Sequence, residues 1–357
     1  MKISGLSTRK KKTSSVGLDI TSESIAATEV RDGRSVGRTA IVPLQPGVVK
    51  EGDLVNREVL TDALKDVFAR HKLDKTVRVG VANQRVVVRS LQLPLIEDES
   101  ELENAIRFRA QEAIPMPLEQ AVLDHQVVAK RDGPDGNKVM DVLAVAARRD
   151  MVVGLLEAVR GAGLQPVGID LSAFGMIRAL KSGAAPTPQV EGEMPLPTSL
   201  YCHLGDVTNL AVARGGECVF ARVSPFGIET IADRLAGRQG VAIDDARDLL
   251  MEVGLEEDIE LFSQDGAIVA REALEEGATK LAEELRMSMD FYGAQDGVTP
   301  VDRVVLCGPG STIPGLPERV QAGLTLEVSV DLPAALSHLD EEDAARLTVS
   351  YGLALEE

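Results

Sequence analysis

Apolar and polar positions alternate at the start of the chain, change to a helical spacing, and later repeat that order. From Val16 the runs VGLDI, SIAATEV and SVGRTAIV read as three successive strands, with Asp32-Gly33 as a hairpin turn between the second and third. Over 56–70 the residues Val59, Leu60, Ala63, Leu64, Val67 and Phe68 fall on one stripe, which predicts a helix. A strand over 77–82 and an apolar run over 86–93 follow.

The pattern then changes character. Ser100 and Glu103 form a capping-box signature for a helix through Leu102, Ile106, Ala110 and Ile114, ended by Pro115 and Pro117. AVLDHQVVAK and KVMDVLAVAA read as strands joined by the turn-rich RDGPDGN, before a helix over 150–161 and a strand over 166–170. This is a compact α+β unit set into the first domain. Residues 181–197, KSGAAPTPQVEGEMPLP, have linker composition.

Beyond the linker the opening theme returns. SLYCHLG, TNLAVARGG and ECVFARVS repeat strand, strand, strand, and a helix begins near Ile228. Acidic helical stretches fill 244–292, and RVVLCGPGSTIPGLPERV gives strand, glycine turn and helix. The reading is an α/β chain of two similar lobes with additions. Its expected parts are a disordered basic tail (1–15), a first domain (16–93 and 164–182) and an insert (94–163). A linker (183–198) and a second domain (199–230 and 296–357) carrying a subdomain (231–295) complete it.

Composition removes several function classes. The net charge of −18 and an aromatic content of 3% argue against a nucleic-acid binder. Cys202, Cys218 and Cys307 form no CxxC pair and sit in apolar runs, so they read as buried thiols in a reducing compartment. The four histidines lack metal-ligand spacing. No apolar run approaches the ~20 residues needed to span a bilayer, and the N-terminus has no secretory apolar core. Arg9, Lys10, Lys11 and Lys12 read as a solvated tail, with contact to anionic lipid as the alternative.

Three glycine- or hydroxyl-bearing turns carry the candidate chemistry. Gly17-Leu18-Asp19-Ile20-Thr21-Ser22 ends a strand, where Asp19 is suited to hold Mg²⁺ through water while Thr21 and Ser22 face phosphate oxygens. In His203-Leu204-Gly205-Asp206-Val207-Thr208-Asn209, Gly205 permits close approach and Thr208 and Asn209 donate. Gly308, Gly310 and Ser311 follow the strand VVLC at the mouth of a helix. Each turn alone is common; their order, one per lobe and a third near the end, is less so.

These residues resemble the PilM family of type IV pilus assembly proteins, within the actin/Hsp70/FtsA superfamily. The resemblance runs from Val16 to Leu355. VGLDITSESIAATEV, RMSMDFY, LCGPGSTIPGLPERV and above all LQLPLIEDESELENAIRFRAQEAIPMPLEQAVLDHQVV carry it. The last is similar to the 1C-type subdomain shared with FtsA. The end, SYGLALEE, lacks the amphipathic membrane helix expected of FtsA.

The resemblance implies an actin-like, ribonuclease H-like two-lobed fold with ATP and Mg²⁺ between the lobes, and a cytoplasmic protein peripheral to the inner membrane. It implies a PilN-like inner-membrane protein as partner, bound through its N-terminal cytoplasmic peptide, alongside other pilus assembly proteins and a possible homo-oligomer. Asp19, Thr21 and Ser22 match the first phosphate motif, Gly205, Thr208 and Asn209 the second, and Gly308, Gly310 and Ser311 the adenosine motif. Glu283 and Arg286 are ribose or base candidates.

Three positions depart from the family pattern: Thr21 stands where glycine is usual, His203 where an acid is usual, and Pro309 where a small residue is usual. Hydrolysis is therefore expected to be weak or absent. The rival readings are a small-molecule kinase, with Asp170 or Asp206 as base, and an FtsA-like polymerising protein. The partner segment is expected to dock between the insert and the first lobe.

Overall fold

The computed structural model describes residues 14–33, 35–133, 136–181, 196–256, 265–295 and 298–355. Residues 1–13 of the expected basic tail and most of the expected linker lie outside the described residues, whereas Ser14 and Ser15, expected in the tail, begin the first strand. Strands β1 (Ser14–Ile20), β2 (Ser24–Arg31) and β3 (Ser35–Pro43) form an antiparallel meander. A ribbon of β4 (Val49–Lys50) and β5 (Asp53–Leu54) leads to α1 (Arg57–His71), whose N-cap Asn56 accepts from the Val59 N–H. Strand β6 (Thr76–Val81) then runs parallel to β1.

The insert follows as β7 (Val86–Pro94), α2 (Glu99–Ala113), β8 (Ala121–Asp132) and β9 (Lys138–Arg148). Its sheet has the order β7-β9-β8, and α2 covers it through Leu102 and Ile106 against Leu91, Met140 and Val142. The three-stranded sheet therefore starts at Val86. Helix α2 is capped by Asp98, which accepts from the Glu101 N–H at 2.9 Å, two residues before the Ser100–Glu103 box expected from sequence. An ionised carboxylate is the stronger acceptor for an orphan amide at a helix start.

Helix α3 (Arg149–Gly161) returns to the first lobe, where Ala158 and Val159 join the core of Leu18, Ile25, Leu60 and Leu64. Strand β10 (Gln165–Leu171) pairs with β6, which completes a sheet of order β10-β6-β1-β2-β3. Helix α4 (Ser172–Lys181) leads toward the second lobe.

There β11 (Thr198–Leu204), β12 (Thr208–Arg214) and β13 (Glu217–Ser224) form a second antiparallel meander. Helices α5 (Ile228–Gln239), α6 (Ile243–Val253) and α7 (Asp265–Gly293) pack on it, followed by β14 (Arg303–Cys307), α8 (Leu316–Ala322) and β15 (Glu327–Val330). The sheet order β13-β12-β11-β14-β15 has the same arrangement as β3-β2-β1-β6-β10. The duplication read from sequence is thus present in strand order and direction.

Two buried helices join the parts. The last helix, α9 (Glu341–Ala354), lies on the first-lobe sheet, packing Leu347, Tyr351 and Ala354 on Ala26 and Val30. It crosses α4 so closely that a Cβ on Gly352 would sit 1.7 Å from the Gly175 carbonyl oxygen. Helix α4 in turn contributes Ala173, Met176 and Ile177 to one cluster with Val88 and Leu143 of the insert and Tyr201, Val305 and Cys307 of the second lobe. Cys202, Cys218 and Cys307 are buried and free, and burial pushes their thiols well up, which keeps them protonated and inert.

Candidate functional site

The β1–β2 turn of the first lobe and the β11–β12 turn of the second face each other. Thr21 makes a tight turn: its N–H donates to the Ser24 carbonyl at 3.0 Å, and its Oγ1 accepts from the N–H groups of Glu23 (3.3 Å) and Ser24 (3.1 Å). The one amide left, that of Ser22, crosses the cleft and donates to Asp206 Oδ2 at 2.7 Å. All four amides of residues 21–24 are thereby satisfied within the chain.

The second turn is also closed on itself. Gly205 donates to the Val207 carbonyl, Val207 to Asp206 Oδ1, and both the amide and hydroxyl of Thr208 to the Phe226 carbonyl. Asn209 is buried in β12 opposite His203. The His203 ring lies between the second and third turns: an added Cβ would come within 3.2 Å of it from Gly205 and 2.8 Å from Gly308. Burial lowers the His203 pKa to about 4, so the imidazole is neutral near pH 7, and its buried Nε2 has no hydrogen-bond partner among the described residues.

In the third turn the Ser311 hydroxyl and amide both go to the Gly308 carbonyl. Gly308 has φ +81°, and a Cβ on Gly310 would press on Leu204 and Ile228. The three turns thus come together as the sequence suggested. Glu283 and Arg286 do not join them through any hydrogen bond or ion pair among the described residues; Glu283 pairs with Lys280 at 3.6 Å and Arg286 lies near Gly323.

Carboxylates dominate the cleft. Asp19 is buried, accepts from Ser172 Oγ at 3.4 Å, and has its pKa pushed up to about 7 by burial first and by the Asp206 charge second. Burial also raises Asp206, against the Ser22 and Val207 amides, which stabilise its charge. Glu23 is raised to about 7, because burial outweighs the attraction of Arg247 and Arg346, each at 3.8 Å. Arg247 is shared with Glu229 at 2.8 Å, and Arg346 with Glu342 at 2.9 Å.

Sequence reasoning did not single out Glu23, Glu229, Arg247 or Arg346. An acid inside a turn expected to carry small residues was the available signal.

The donor set decides whether magnesium-bound ATP suits this arrangement. A triphosphate needs free amides and cations, and Mg²⁺ needs ionised oxygens with room for water. Here the first-turn amides are spent, the two arginines are engaged by Glu23, Glu229 and Glu342, and Asp19 is held toward its neutral form. The closed cleft does not fit the group as it stands.

A second concavity of about 400 Å³ lies between the insert and the first lobe. Its walls are β8, with Val122, Asp124 and Gln126, and β10, with Val167 and Ile169; Met151, Val152 and Phe174 supply apolar surface. Both strands are edges of their sheets, so each presents a backbone row to the groove. Asp170 is held by Arg178, which also donates to the Gly352 carbonyl at 3.0 Å.

The profile of the family described as "Type IV pilus assembly protein PilM" matches residues 17–357. This chain belongs to the PilM family. A solved "PilM-PilN type IV pilus biogenesis complex" is similar over 96% of this chain and 97% of that one, at 24% identity and a TM-score of 0.80. The ethanolamine utilization protein EutJ from Carboxydothermus hydrogenoformans matches at 14% identity and TM-score 0.55, covering 97% and 90% of the two chains. MreB5 of Spiroplasma citri bound to ADP matches at 14% and 0.51, covering 96% and 95%. These likenesses establish the two-lobed actin-like fold for this PilM-family chain.

Proposed function

We propose that this chain is an adaptor on the cytoplasmic side of a type IV pilus inner-membrane platform. In this reading it seats an extended N-terminal segment of a PilN-like membrane protein in the groove between β8 and β10. The observation that carries it is two sheet-edge strands, β8 and β10, that line one concavity of mixed apolar and polar walls. An extended segment gains main-chain hydrogen bonds from such an edge and specificity from alternate side-chain pockets. The solved PilM-family relative is a complex with PilN, which supports the choice of partner. Among the described residues no helix is long and apolar enough to cross a membrane, so attachment through a partner suits the chain.

The interlobe cleft enters this proposal as a conformational element. Mg-ATP, expected at Asp19 and the three turns, would have to displace Asp206 from the Ser22 amide; adaptor activity does not require that it do so. The kinase alternative is weakened because Asp170 is engaged by Arg178 and Asp206 by two amides.

Fluorescence titration with the N-terminal peptide of the PilN-like partner tests the reading. The wild type should bind, and Val167→Asp, at a site 61% exposed, should lose at least about tenfold in affinity while melting normally. Equal affinity for the variant would remove the groove from the proposal.

A further inference from the structure

We infer that the interlobe cleft contains its own substitute for a bound phosphate: the Thr21 hydroxyl and the Asp206 carboxylate occupy the amides of the β1–β2 turn, so the lobes close without a nucleotide. The Thr21 oxygen collects two amides, those of Glu23 and Ser24. A glycine there would offer no such acceptor. Asp206 supplies the rest: one oxygen takes the Ser22 amide from across the cleft and the other the Val207 amide of its own turn. An ionised acceptor on a backbone N–H makes the stronger kind of hydrogen bond, and it is the chemistry that a phosphate oxygen would offer.

The surrounding charges act in the same direction. Glu23 projects from the same turn and lies 3.8 Å from Arg247 of α6 and Arg346 of α9, whose guanidinium groups donate to Glu229 and Glu342 and are thereby committed to carboxylates. An incoming triphosphate would meet the Asp206 carboxylate and would compete with acceptors already tethered in place. A tethered competitor acts at a high effective concentration, which weakens any free ligand for the same donors. At the far side the His203 ring fills the space between Gly205 and Gly308. The inference concerns the cleft alone and is independent of the partner groove.

Calorimetric titration with Mg-ATP and Mg-ADP tests it on the wild type, Thr21→Gly, Asp206→Ala and the double variant. The expected result is weak or undetectable binding by the wild type and at least about tenfold tighter binding by the double variant. Equal or weaker binding by the folded double variant would overturn the inference, as it would if Asp206 served a metal.

A second measurement needs no substitution. In nucleotide-free wild type the Ser22 amide should be protected from hydrogen exchange. Exchange at the rate of an open loop amide, with protection only after Mg-ATP is added, would also overturn it.

Discussion

Ser22 in one lobe and Asp206 in the other are joined through a 2.7 Å hydrogen bond between positions 184 residues apart in the chain. The contact links the corresponding turns of two duplicated sheets. Removing the acceptor should therefore loosen the cleft locally without unfolding either lobe. Asp206→Ala is expected to raise exchange of the Ser22 amide by about tenfold or more, the equivalent of one charge-assisted hydrogen bond. Exchange mass spectrometry over 20–25 checks this, with the amides of 26–31 in β2 as the unaffected reference.

Glu23 makes the cleft sensitive to pH. Its pKa rises from 4.5 to about 7 on folding, chiefly through burial, with Asp206 and Glu229 adding to the rise and Arg247 and Arg346 opposing it. The native state thus holds this proton more tightly than the unfolded chain. The group's contribution to stability is full below about pH 4.5 and is lost as pH rises toward and through about 7. Glu23→Gln should flatten that part of the stability curve, with a ceiling on the order of 3 kcal/mol at about 1.4 kcal/mol per pKa unit. Urea melts at pH 5 and pH 8 measure it; equal pH dependence in both proteins would reject the assignment.

The α4–α9 crossing tolerates no side chain. Gly352→Ala places a Cβ 1.7 Å from the Gly175 carbonyl oxygen, and backbone rather than a movable side chain must give way. A loss of about 3 kcal/mol or more is expected, the upper range for overpacking. Gly154→Ala, at an open helical position, should be neutral or slightly stabilising and serves as the control. Thermal melts distinguish the two.

Arg178 connects the proposed partner groove to that crossing. Arg178→Ala leaves the largely buried Asp170 without its guanidinium and the Gly352 carbonyl without that donor. A destabilisation of about 1–3 kcal/mol is expected, because Asp170 keeps the Leu171 amide and borders the groove. Arg178→Lys should recover part of it, because a lysine replaces the charge but not the two-partner fork. Chemical denaturation of both variants gives the comparison.

Much of this architecture was legible in local pattern. The two meanders show as alternating runs around Leu18, Ile25, Leu200 and Leu210, and α1 as a one-sided stripe. Helices α4 and α9 were not. SAFGMIRALK is buried on nearly every side, and so is 344–354, so neither shows a polar face against which an apolar stripe stands out. Their role as connectors follows from that all-round burial.

The site was legible as three turns but not as a charge network. Thr21, Asp206 and the glycines are visible in the sequence, whereas the approach of Arg247 and Arg346 to Glu23 arises from the tertiary fold. The capping of α2 shows a smaller limit: two adjacent polar signals, Asp98 and Ser100, compete, and only geometry reveals which reaches an amide.

The free edge of β8 bears on how the protein keeps apart from its own copies. A strand of twelve residues with an open backbone row is long enough for two chains to zip together. Lys130, Arg131 and Asp132 stand exposed at its far end, with Arg131 held by Asp141 of the neighbouring strand, and Asp124 stands near its start, so a strand added along the full edge must lie beside charged residues at both ends. A short segment can use the stretch between them and avoid that conflict. In the proposed binding mode the charged ends therefore favour a brief peptide tail over a strand that spans the whole edge.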